Sequence, residues 1–236
     1  MQTKILSIDF CIIPSFQCMR NEFTCNDGLC LELERRCDNV FDCLDGSDED
    51  NCEPLEIDEH NYRKTFPPYL RSHKTEVRLM LDIYSISKID ELANTFKGDV
   101  EVELKWIDYR ITFKNLAKSG NFLNRRWQDK IWLPPLYYSN TVDDVLISNG
   151  NLLNVKILKQ GEPVQNDVSR INEQNQFSGE ENELHLTATD EVIFKCYFEL
   201  SWFPFDVQHC SIDIRIPQEL RSYTTLIPIK VKYTGK

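Results

Sequence analysis

The sequence has few of the features that enzymes and nucleic-acid-binding proteins usually show. Its 236 residues include only 8 glycines and 4 histidines. There is no glycine-rich phosphate loop and no Gly-x-Ser-x-Gly motif, and the histidines lack metal-ligand spacing with one another or with a free cysteine. The formal net charge of −11 does not favour nucleic acid as a partner. These absences predict a protein that is not an enzyme and does not bind nucleic acid.

Long hydrophobic runs are also absent. No stretch of about 18 apolar residues occurs, which is the length that a membrane-spanning helix needs. Residues 1–17 are partly apolar, but Asp9 interrupts them and no small-residue cleavage site follows. We interpret residues 1–17, which include Cys11, as a leader or partial signal segment. We expect the chain to be either a secreted protein or a fragment of a membrane protein.

Cysteine, in contrast, is abundant near the N-terminus. Seven of the nine cysteines lie in the first 52 residues, which indicates an oxidising compartment. Within residues 18–52, six cysteines are separated by six, four, six, five and eight residues. About 35 residues cannot bury a core that holds a fold alone, so we expect disulfides to replace that core. Spacing alone does not choose among the fifteen pairings that are possible for six cysteines.

The same segment is strongly acidic, with ten acidic and three basic side chains. Closing the disulfides would bring together the four carboxylates around Cys43, namely Asp38, Asp42, Asp48 and Glu49. Clustered carboxylates repel one another unless a cation lies among them, and Ca²⁺ takes six to eight oxygen ligands of this kind. The segment is therefore either a calcium site or, as the alternative, a solvated acidic tail.

Three short motifs favour the calcium site: Cys37-Asp38, Asp42-Cys43 and Asp45-Gly46-Ser47-Asp48-Glu49. They resemble the LDL-receptor class A module along its whole length. The resemblance implies a small apolar core with Phe23 and Leu31, and the disulfides Cys18–Cys30, Cys25–Cys43 and Cys37–Cys52. It implies structural Ca²⁺ held by the side chains of Asp38, Asp42, Asp48 and Glu49 and by the backbone carbonyls of Arg35 and Val40. Arg35 stands where the family usually has the Trp that helps to grip a ligand lysine, so lysine capture is not implied.

Beyond Cys52 the composition changes. Residues 53–60 read as a short solvated linker. Apolar and polar residues then alternate, most clearly at Val100–Trp106 and again at 212–216 and 227–233, which predicts half-buried strands. Several such strands predict a mainly β protein with an immunoglobulin-like antiparallel β-sandwich. Residues 161–183 are rich in Asn, Gln, Glu and Ser and predict an exposed loop.

The last two cysteines, Cys196 and Cys210, enclose thirteen residues. Such a disulfide could simply close a loop of the sandwich, contributing about 3 kcal/mol on the chain-entropy model. Its contents suggest more, because a turn-forming proline stands between two aromatic residues in Phe203-Pro204-Phe205-Asp206. Soluble proteins tend to bury aromatic side chains. The spacing and the Phe-Pro-Phe-Asp-Val-Gln-His-Cys ending resemble the signature loop of Cys-loop, or pentameric, neurotransmitter-gated ion channels.

Two upstream segments extend this resemblance over residues 61–236. Trp106-Ile107-Asp108-Tyr109-Arg110 is similar to the family's Trp-x-Asp-x-Arg strand, and Ile131-Trp132-Leu133-Pro134 is similar to its Ile-Trp-x-Pro segment. The combination with a class A module is similar to divergent invertebrate, arthropod-like receptor subunits. The resemblance implies a ligand-binding domain at the extracellular face of the plasma membrane, in a pentamer with other receptor subunits. Phe203, Pro204, Phe205 and Asp206 would contact the membrane domain and couple ligand binding to gating.

The resemblance also implies where a small-molecule transmitter would bind. In this family the ligand lies in an aromatic box between adjacent subunits. The motifs align loop A with Tyr137, Tyr138 and Ser139, and loop D with Glu101, a position that is often Trp. One of the tyrosines could instead pack inside the sandwich. The sequence is expected to stop before loop C and before the helices through which the family reaches the membrane.

Two alternatives remain open from the sequence. One is a secreted, soluble ligand-binding protein with the same sandwich, which would require an intact loop C. The other is an adhesion or cargo-binding protein in which the class A module captures a basic partner, an option that Arg35 at the usual Trp position disfavours.

Overall fold

The computed structural model describes residues 18–19, 21–69, 73–143, 145–147, 152–164 and 173–234. The leader predicted at residues 1–17, with Cys11, lies outside the described residues. The chain divides into two compact units. The first contains the described residues up to Cys52 together with Glu173 and Gln174, and the second contains the rest. Among the described residues, no helix has the length and apolar character needed to cross a membrane.

The first unit is held by disulfides around a very small core. Strands β1 (Glu22–Thr24) and β2 (Cys30–Glu32) pair antiparallel, with Phe23 opposite Leu31. Phe23 and Leu31 are buried together with two cystine sulfurs, from Cys25 and Cys43. The disulfides are Cys18–Cys30, Cys25–Cys43 and Cys37–Cys52, which is the pairing that the resemblance implies. With so few apolar side chains, these crosslinks replace a conventional core.

The second unit is built almost entirely of strands. Its elements are β3 (Leu55–Ile57), β4 (Thr75–Asp90), β5 (Thr95–Trp106), β6 (Ile111–Lys114), β7 (Phe122–Leu123), α1 (Arg125–Gln128), β8 (Tyr137–Tyr138), β9 (Val145–Leu146), β10 (Leu152–Leu158), β11 (Gln176–Ser178), β12 (Glu183–Lys195), β13 (Ile214–Arg215) and β14 (Thr224–Tyr233). They form one six-stranded sheet, in the order β14-β4-β5-β12-β10-β7, and two three-stranded sheets, β11-β6-β3 and β13-β8-β9. The predicted mainly β class with antiparallel sheets is therefore confirmed.

Strand β5 shows why the alternation in the sequence leads to this architecture. Val100, Val102, Leu104 and Trp106 are buried, and the polar residues between them are partly exposed. Successive side chains of a strand point to opposite faces, so one face of β5 packs into the core. Trp106 meets Trp132 edge to face, with ring centroids 6.1 Å apart, so both motif segments contribute to one core.

Strand β14 differs from the prediction in two ways. The alternation at residues 227–233 does form a strand, but it pairs parallel with β4, unlike the other paired strands that the structure describes. Ile229, Val231 and Tyr233 are exposed rather than half-buried. Strand β14 lies at the edge of the sheet and has only one paired neighbour, β4. Its register with β4 shifts after Pro228, because proline has no amide proton to donate. The predicted strand at residues 212–216 is also shorter, because only Ile214–Arg215 is a strand.

Two predicted irregular segments contribute to the sandwich. The linker prediction for residues 53–60 is wrong at β3, where Leu55 is buried and pairs opposite Phe113. The loop predicted at residues 161–183 contains β11, in which Phe177 is buried in the core. Residues 165–172 of that loop lie outside the described part of the chain. The alternation in Leu55-Glu56-Ile57 covers only three residues, and Phe177 has polar neighbours on both sides. Such short signals do not separate a strand from a loop, which explains both errors.

Candidate functional site

The loop closed by Cys196 and Cys210 is anchored at its base by hydrogen bonds. The disulfide holds their Cα atoms 5.3 Å apart. The amide of Cys196 donates to the carbonyl of Asn94 (2.9 Å), and the Asn140 side chain donates to the carbonyl of Ser211 (2.7 Å). The neighbouring amide of Lys195 donates to the carbonyl of Asn140 (2.7 Å). Asn140 therefore connects the two ends of the loop.

The tip of this loop presents aromatic side chains to solvent. Phe203 is 70% exposed and Phe205 is 89% exposed. Two turn hydrogen bonds shape the tip, from the amide of Phe203 to the carbonyl of Leu200 (3.1 Å) and from the amide of Phe205 to that of Trp202 (2.7 Å). Asp206 is half-buried, and its carboxylate accepts a hydrogen bond from the side-chain amide of Gln208. The structure thus presents the Phe-Pro-Phe segment on a closed, hydrogen-bonded loop.

Trp202 belongs to the same exposed surface, although it is not among the site residues predicted from the sequence. Its side chain is as exposed as that of Phe203 and precedes it directly. Gln208 braces the loop behind these residues: its side chain donates to the carbonyl of Glu199 (2.8 Å) and accepts from the Glu199 amide (2.9 Å). The position of Trp202 inside the disulfide loop was the signal that could have identified it.

The loop A candidates occupy different environments within β8 and just after it. Tyr137 is half-buried and retains exposed surface, whereas Tyr138 is fully buried. Tyr138 packs edge-on against Phe194, with centroids 5.4 Å apart. Burial raises the pKa of Tyr138, and the charge of Asp190 raises it further. Ser139 donates its amide proton to the carbonyl of Asp213 at 2.8 Å. Tyr138 is thus a core residue in this structure, and Tyr137 and Ser139 are the candidates at the surface.

The loop D candidate, Glu101, lies on the other side of the sandwich, in β5 of the six-stranded sheet. Thr189 donates its hydroxyl to a Glu101 carboxylate oxygen at 3.4 Å. Tyr84 also hydrogen-bonds to Glu101, and the pKa of Tyr84 is raised to about 12 by desolvation, by this bond and by nearby carboxylates. Glu101 is therefore a carboxylate flanked by two hydroxyl groups, and it lies in a different sheet from Tyr137.

The acidic residues of the first unit form a network centred on Asp48. Asp48 is fully buried, and its two carboxylate oxygens accept hydrogen bonds from the amides of Asp42 (2.8 Å) and Cys43 (3.2 Å). Glu49 accepts from the amide of Asn39 (3.0 Å), and Asp38 accepts from that of Val40 (2.9 Å). Each carboxylate is thus held close to the segment 38–43.

The carboxylates of this cluster repel one another, and the effect is clearest at Glu49. Burial raises the pKa of Glu49, and the charges of Asp38 and Asp48 raise it further, although two backbone amides oppose this. A neighbouring cation would relieve that repulsion. Arg35 already supplies one positive charge, with Nη1 3.3 Å from Oδ1 of Asp42. The set offers carboxylate and carbonyl oxygens, which is the ligand chemistry that Ca²⁺ prefers.

The second unit is a β-sandwich with a disulfide-closed loop, and a small disulfide-rich module precedes it in the sequence. Residues 56–222 match the family described as neurotransmitter-gated ion-channel ligand binding domain, and residues 16–52 match low-density lipoprotein receptor domain class A. The chain belongs to the neurotransmitter-gated ion-channel ligand-binding domain family and carries a class A module ahead of that domain. It is not an enzyme, since both domain families are non-enzymatic.

Individual relatives match one domain or the other. The acetylcholine receptor subunit delta of Rattus norvegicus is 25% identical over 160 residues, which cover 66% of this chain and 26% of the relative. Low-density lipoprotein receptor-related protein 11 of Homo sapiens is 49% identical over 41 residues, 17% of this chain and 8% of the relative. The vitellogenin receptor of Solenopsis invicta is 49% identical over 37 residues, which cover 16% of this chain and 2% of the relative. The matched region is therefore about a quarter or less of each relative.

Proposed function

We propose that this chain is the extracellular ligand-binding region of a pentameric ligand-gated ion channel subunit, in which the Cys196–Cys210 loop couples ligand binding to gating. The observation that carries the proposal is the exposure of Phe203 and Phe205 at the tip of a covalently closed loop. Exposed aromatic groups are stabilised when an apolar surface covers them. A membrane domain at the extracellular face of the plasma membrane supplies such a surface.

The transmitter would bind between neighbouring subunits. Tyr137 and Ser139 lie in or next to the β13-β8-β9 sheet, and Glu101 lies in the six-stranded sheet. One subunit would offer the tyrosine and its neighbour the carboxylate, so a small molecule with a positive charge suits the site. The ligand drives gating only through its higher affinity for the open than for the resting state.

The class A module would hold one structural Ca²⁺. Its ligands would be the side chains of Asp38, Asp42, Asp48 and Glu49 and the backbone carbonyls of Arg35 and Val40. The ion supplies positive charge where these carboxylates repel one another, and it stabilises the folded module without taking part in gating. The pairing of Arg35 with Asp42 occupies a carboxylate that a captured lysine would use, which argues against cargo binding as the main function.

The gating proposal is tested by transplanting the loop. Residues 196–210 replace the corresponding loop of an intact family channel that assembles as a homopentamer, and agonist-evoked currents are recorded in oocytes. We expect the transplanted loop to support gating. Replacing both aromatic residues, Phe203→Ser with Phe205→Ser, should raise the half-maximal agonist concentration at least about tenfold, a loss of about 1.4 kcal/mol of coupling.

The matched control is Tyr197→Ser, because Tyr197 is as exposed as the tip residues but follows Cys196 directly at the base. Surface labelling must show equal expression of all variants. Equal agonist sensitivity of the double variant and the unmodified transplant would contradict coupling through the tip, and would favour a soluble ligand-binding protein instead.

A further inference from the structure

A cavity of about 610 Å³ lies in the second unit beside the Cys196–Cys210 loop. Strands β4, β5 and β14 form one part of its wall, through Leu81, Ile83, Phe96 and Val231, and the loop forms another part through Phe198. Phe96 and Phe198 are themselves almost fully buried. The volume falls within the range of about 300–1,000 Å³ that is typical of small-molecule sites.

The charged groups at this cavity are all of one sign. Its described lining residues include two carboxylates, Glu91 and Asp206, and no lysine or arginine. The remaining polar side chain, Gln208, is already engaged with the backbone of Glu199 and with Asp206. An apolar wall with carboxylates and no opposing cation favours a positively charged ligand over a negative one.

We propose that this cavity binds a small amphipathic cation, with a hydrocarbon or aromatic body in the cavity and an ammonium group beside Glu91 and Asp206. Burying the hydrocarbon body against Ile83 and Phe96 provides the main driving force, which scales with the apolar area removed from water. The two carboxylates determine the preferred charge.

This site is separate from the proposed transmitter site. None of the residues 137–139 lines the cavity, and neither does Glu101. Leu200, Asp206 and Cys210 belong to the disulfide loop, so a bound molecule contacts the loop and strand β4 together. It would therefore favour the loop position that forms this cavity. The binding itself does not depend on whether the chain gates a channel.

Binding is tested on the full chain with four probes of matched design: octyltrimethylammonium, octanol, octanoate and tetramethylammonium. Isothermal titration calorimetry, below the micellar concentration, measures each affinity. We expect octyltrimethylammonium to bind about tenfold more tightly than octanoate, with octanol between them. Tetramethylammonium should show no measurable binding, because it has no chain to bury. Raising the salt to about 1 M should reduce the difference between the cation and the anion.

Variants locate the site. Glu91→Gln should weaken octyltrimethylammonium binding about fivefold and leave octanol binding unchanged. Ile86→Trp places a larger side chain at the cavity wall and should weaken binding of every probe that carries a chain. The matched controls are Glu219→Gln, an exposed acid that does not line the cavity, and Leu92→Trp, which follows Glu91 in the sequence and is 98% exposed.

A second measurement uses the unaltered protein and does not depend on variants that fold. Nuclear Overhauser contacts from the octyl chain should appear at the methyl groups of Ile83 and Ile212, which line the cavity, and not at those of Ile193. Contacts at Ile193 alone, or equal affinity for octanoate and octyltrimethylammonium, would overturn the proposal. Binding that Glu91→Gln does not alter would overturn the assignment of the ammonium position.

Discussion

The guanidinium of Arg110 forms two hydrogen bonds of 2.8 Å with the fully buried carboxylate of Asp108, from Nε to Oδ1 and from Nη2 to Oδ2. The Tyr62 hydroxyl donates to the same carboxylate (2.9 Å) and accepts from the amide of Trp132 (2.8 Å). The Arg110 guanidinium also lies over the Tyr62 ring, 4.3 Å from its centroid. Burial raises the pKa of Tyr62, and so does the charge of Asp108. The two upstream family motifs are therefore connected through one buried polar network.

Removing the positive charge from this network should destabilise the folded protein. Arg110→Met leaves the Asp108 carboxylate buried without its ion partner, and we expect a loss of about 3–5 kcal/mol in the free energy of unfolding. Urea denaturation followed by tryptophan fluorescence measures it, because Trp106 and Trp132 are buried nearby. The control Arg125→Met removes an exposed pair with Asp129 at 3.7 Å and should cost less than about 1 kcal/mol. Equal effects of both substitutions would refute this role of Asp108.

The core around Phe194 allows a comparison of adjacent residues on opposite faces of β12. Phe194 is fully buried and stacks on Phe96 at 5.3 Å between centroids, while Ile193 is exposed. Phe194→Ala should lower the free energy of unfolding by about 3–5 kcal/mol through lost burial and a cavity. Ile193→Ala should cost less than about 1 kcal/mol. Chemical denaturation compares the two, and similar losses would mean that the assigned faces of β12 are wrong.

The calcium proposal predicts opposite effects of one substitution with and without the ion. In EDTA, Glu49→Gln should slow hydrogen exchange at the amides of Asp42 and Cys43, because the raised pKa of Glu49 means that its charge disfavours the folded module. With Ca²⁺ at about 100 times its dissociation constant, the wild type should gain about 2.7 kcal/mol, and Glu49→Gln should lose much of that gain.

The pH dependence of this effect follows from the direction of the pKa shift. A carboxyl whose pKa is higher in the folded state stabilises folding when it is protonated, and this contribution disappears as the pH rises through the folded-state pKa. In EDTA the benefit of Glu49→Gln should therefore disappear at acidic pH. Asp50→Asn is the control, since Asp50 is exposed and outside the proposed ligand set. Calcium-independent exchange in the wild type would rule out the site.

The contact between Tyr84 and Glu101 predicts an alkaline titration near the loop D position. The pKa of Tyr84 is raised to about 12, so its neutral hydroxyl should keep donating to Glu101 up to about pH 10. The contact should be lost as the pH rises through about 12. Difference absorbance of tyrosinate between the wild type and Tyr84→Phe measures this step. Glu101→Gln should lower the pKa of Tyr84, because it removes a negative charge. A step that Glu101→Gln does not shift would contradict the contact.

Much of the fold could be predicted from local patterns, as β5 and β14 illustrate. Both alternate apolar and polar residues, and both are strands. The apolar face of β5 is buried between sheets, whereas that of β14 is exposed at the sheet edge. Alternation indicates which residues share a face of a strand, but not whether another layer covers that face. The same reason explains β3, where one buried residue, Leu55, distinguishes a strand from a linker.

In the candidate site, too, some features could be predicted from the sequence and others were decided by packing. Tyr137 and Tyr138 are chemically equivalent in the sequence, and only the packing of Phe194 against Tyr138 assigns one to the core and the other to the surface. Cysteine spacing and the Phe-Pro-Phe segment indicated the closed loop, because both are local features. Trp202 had the same local signal, because it stands inside the disulfide loop directly before Phe203. The cavity beside Glu91 had none, since it depends on segments that are distant in the sequence.

The sequence by itself determined the disulfide-rich module, the mainly β class and the family, because each is encoded in residue types at fixed spacing. Only the tertiary structure decided the parallel pairing of β14, the Tyr62–Asp108–Arg110 network and the cavity whose apolar wall carries two carboxylates. Each of these requires side chains separated by tens of residues to meet, and such contacts arise only when the sheets pack around a common core.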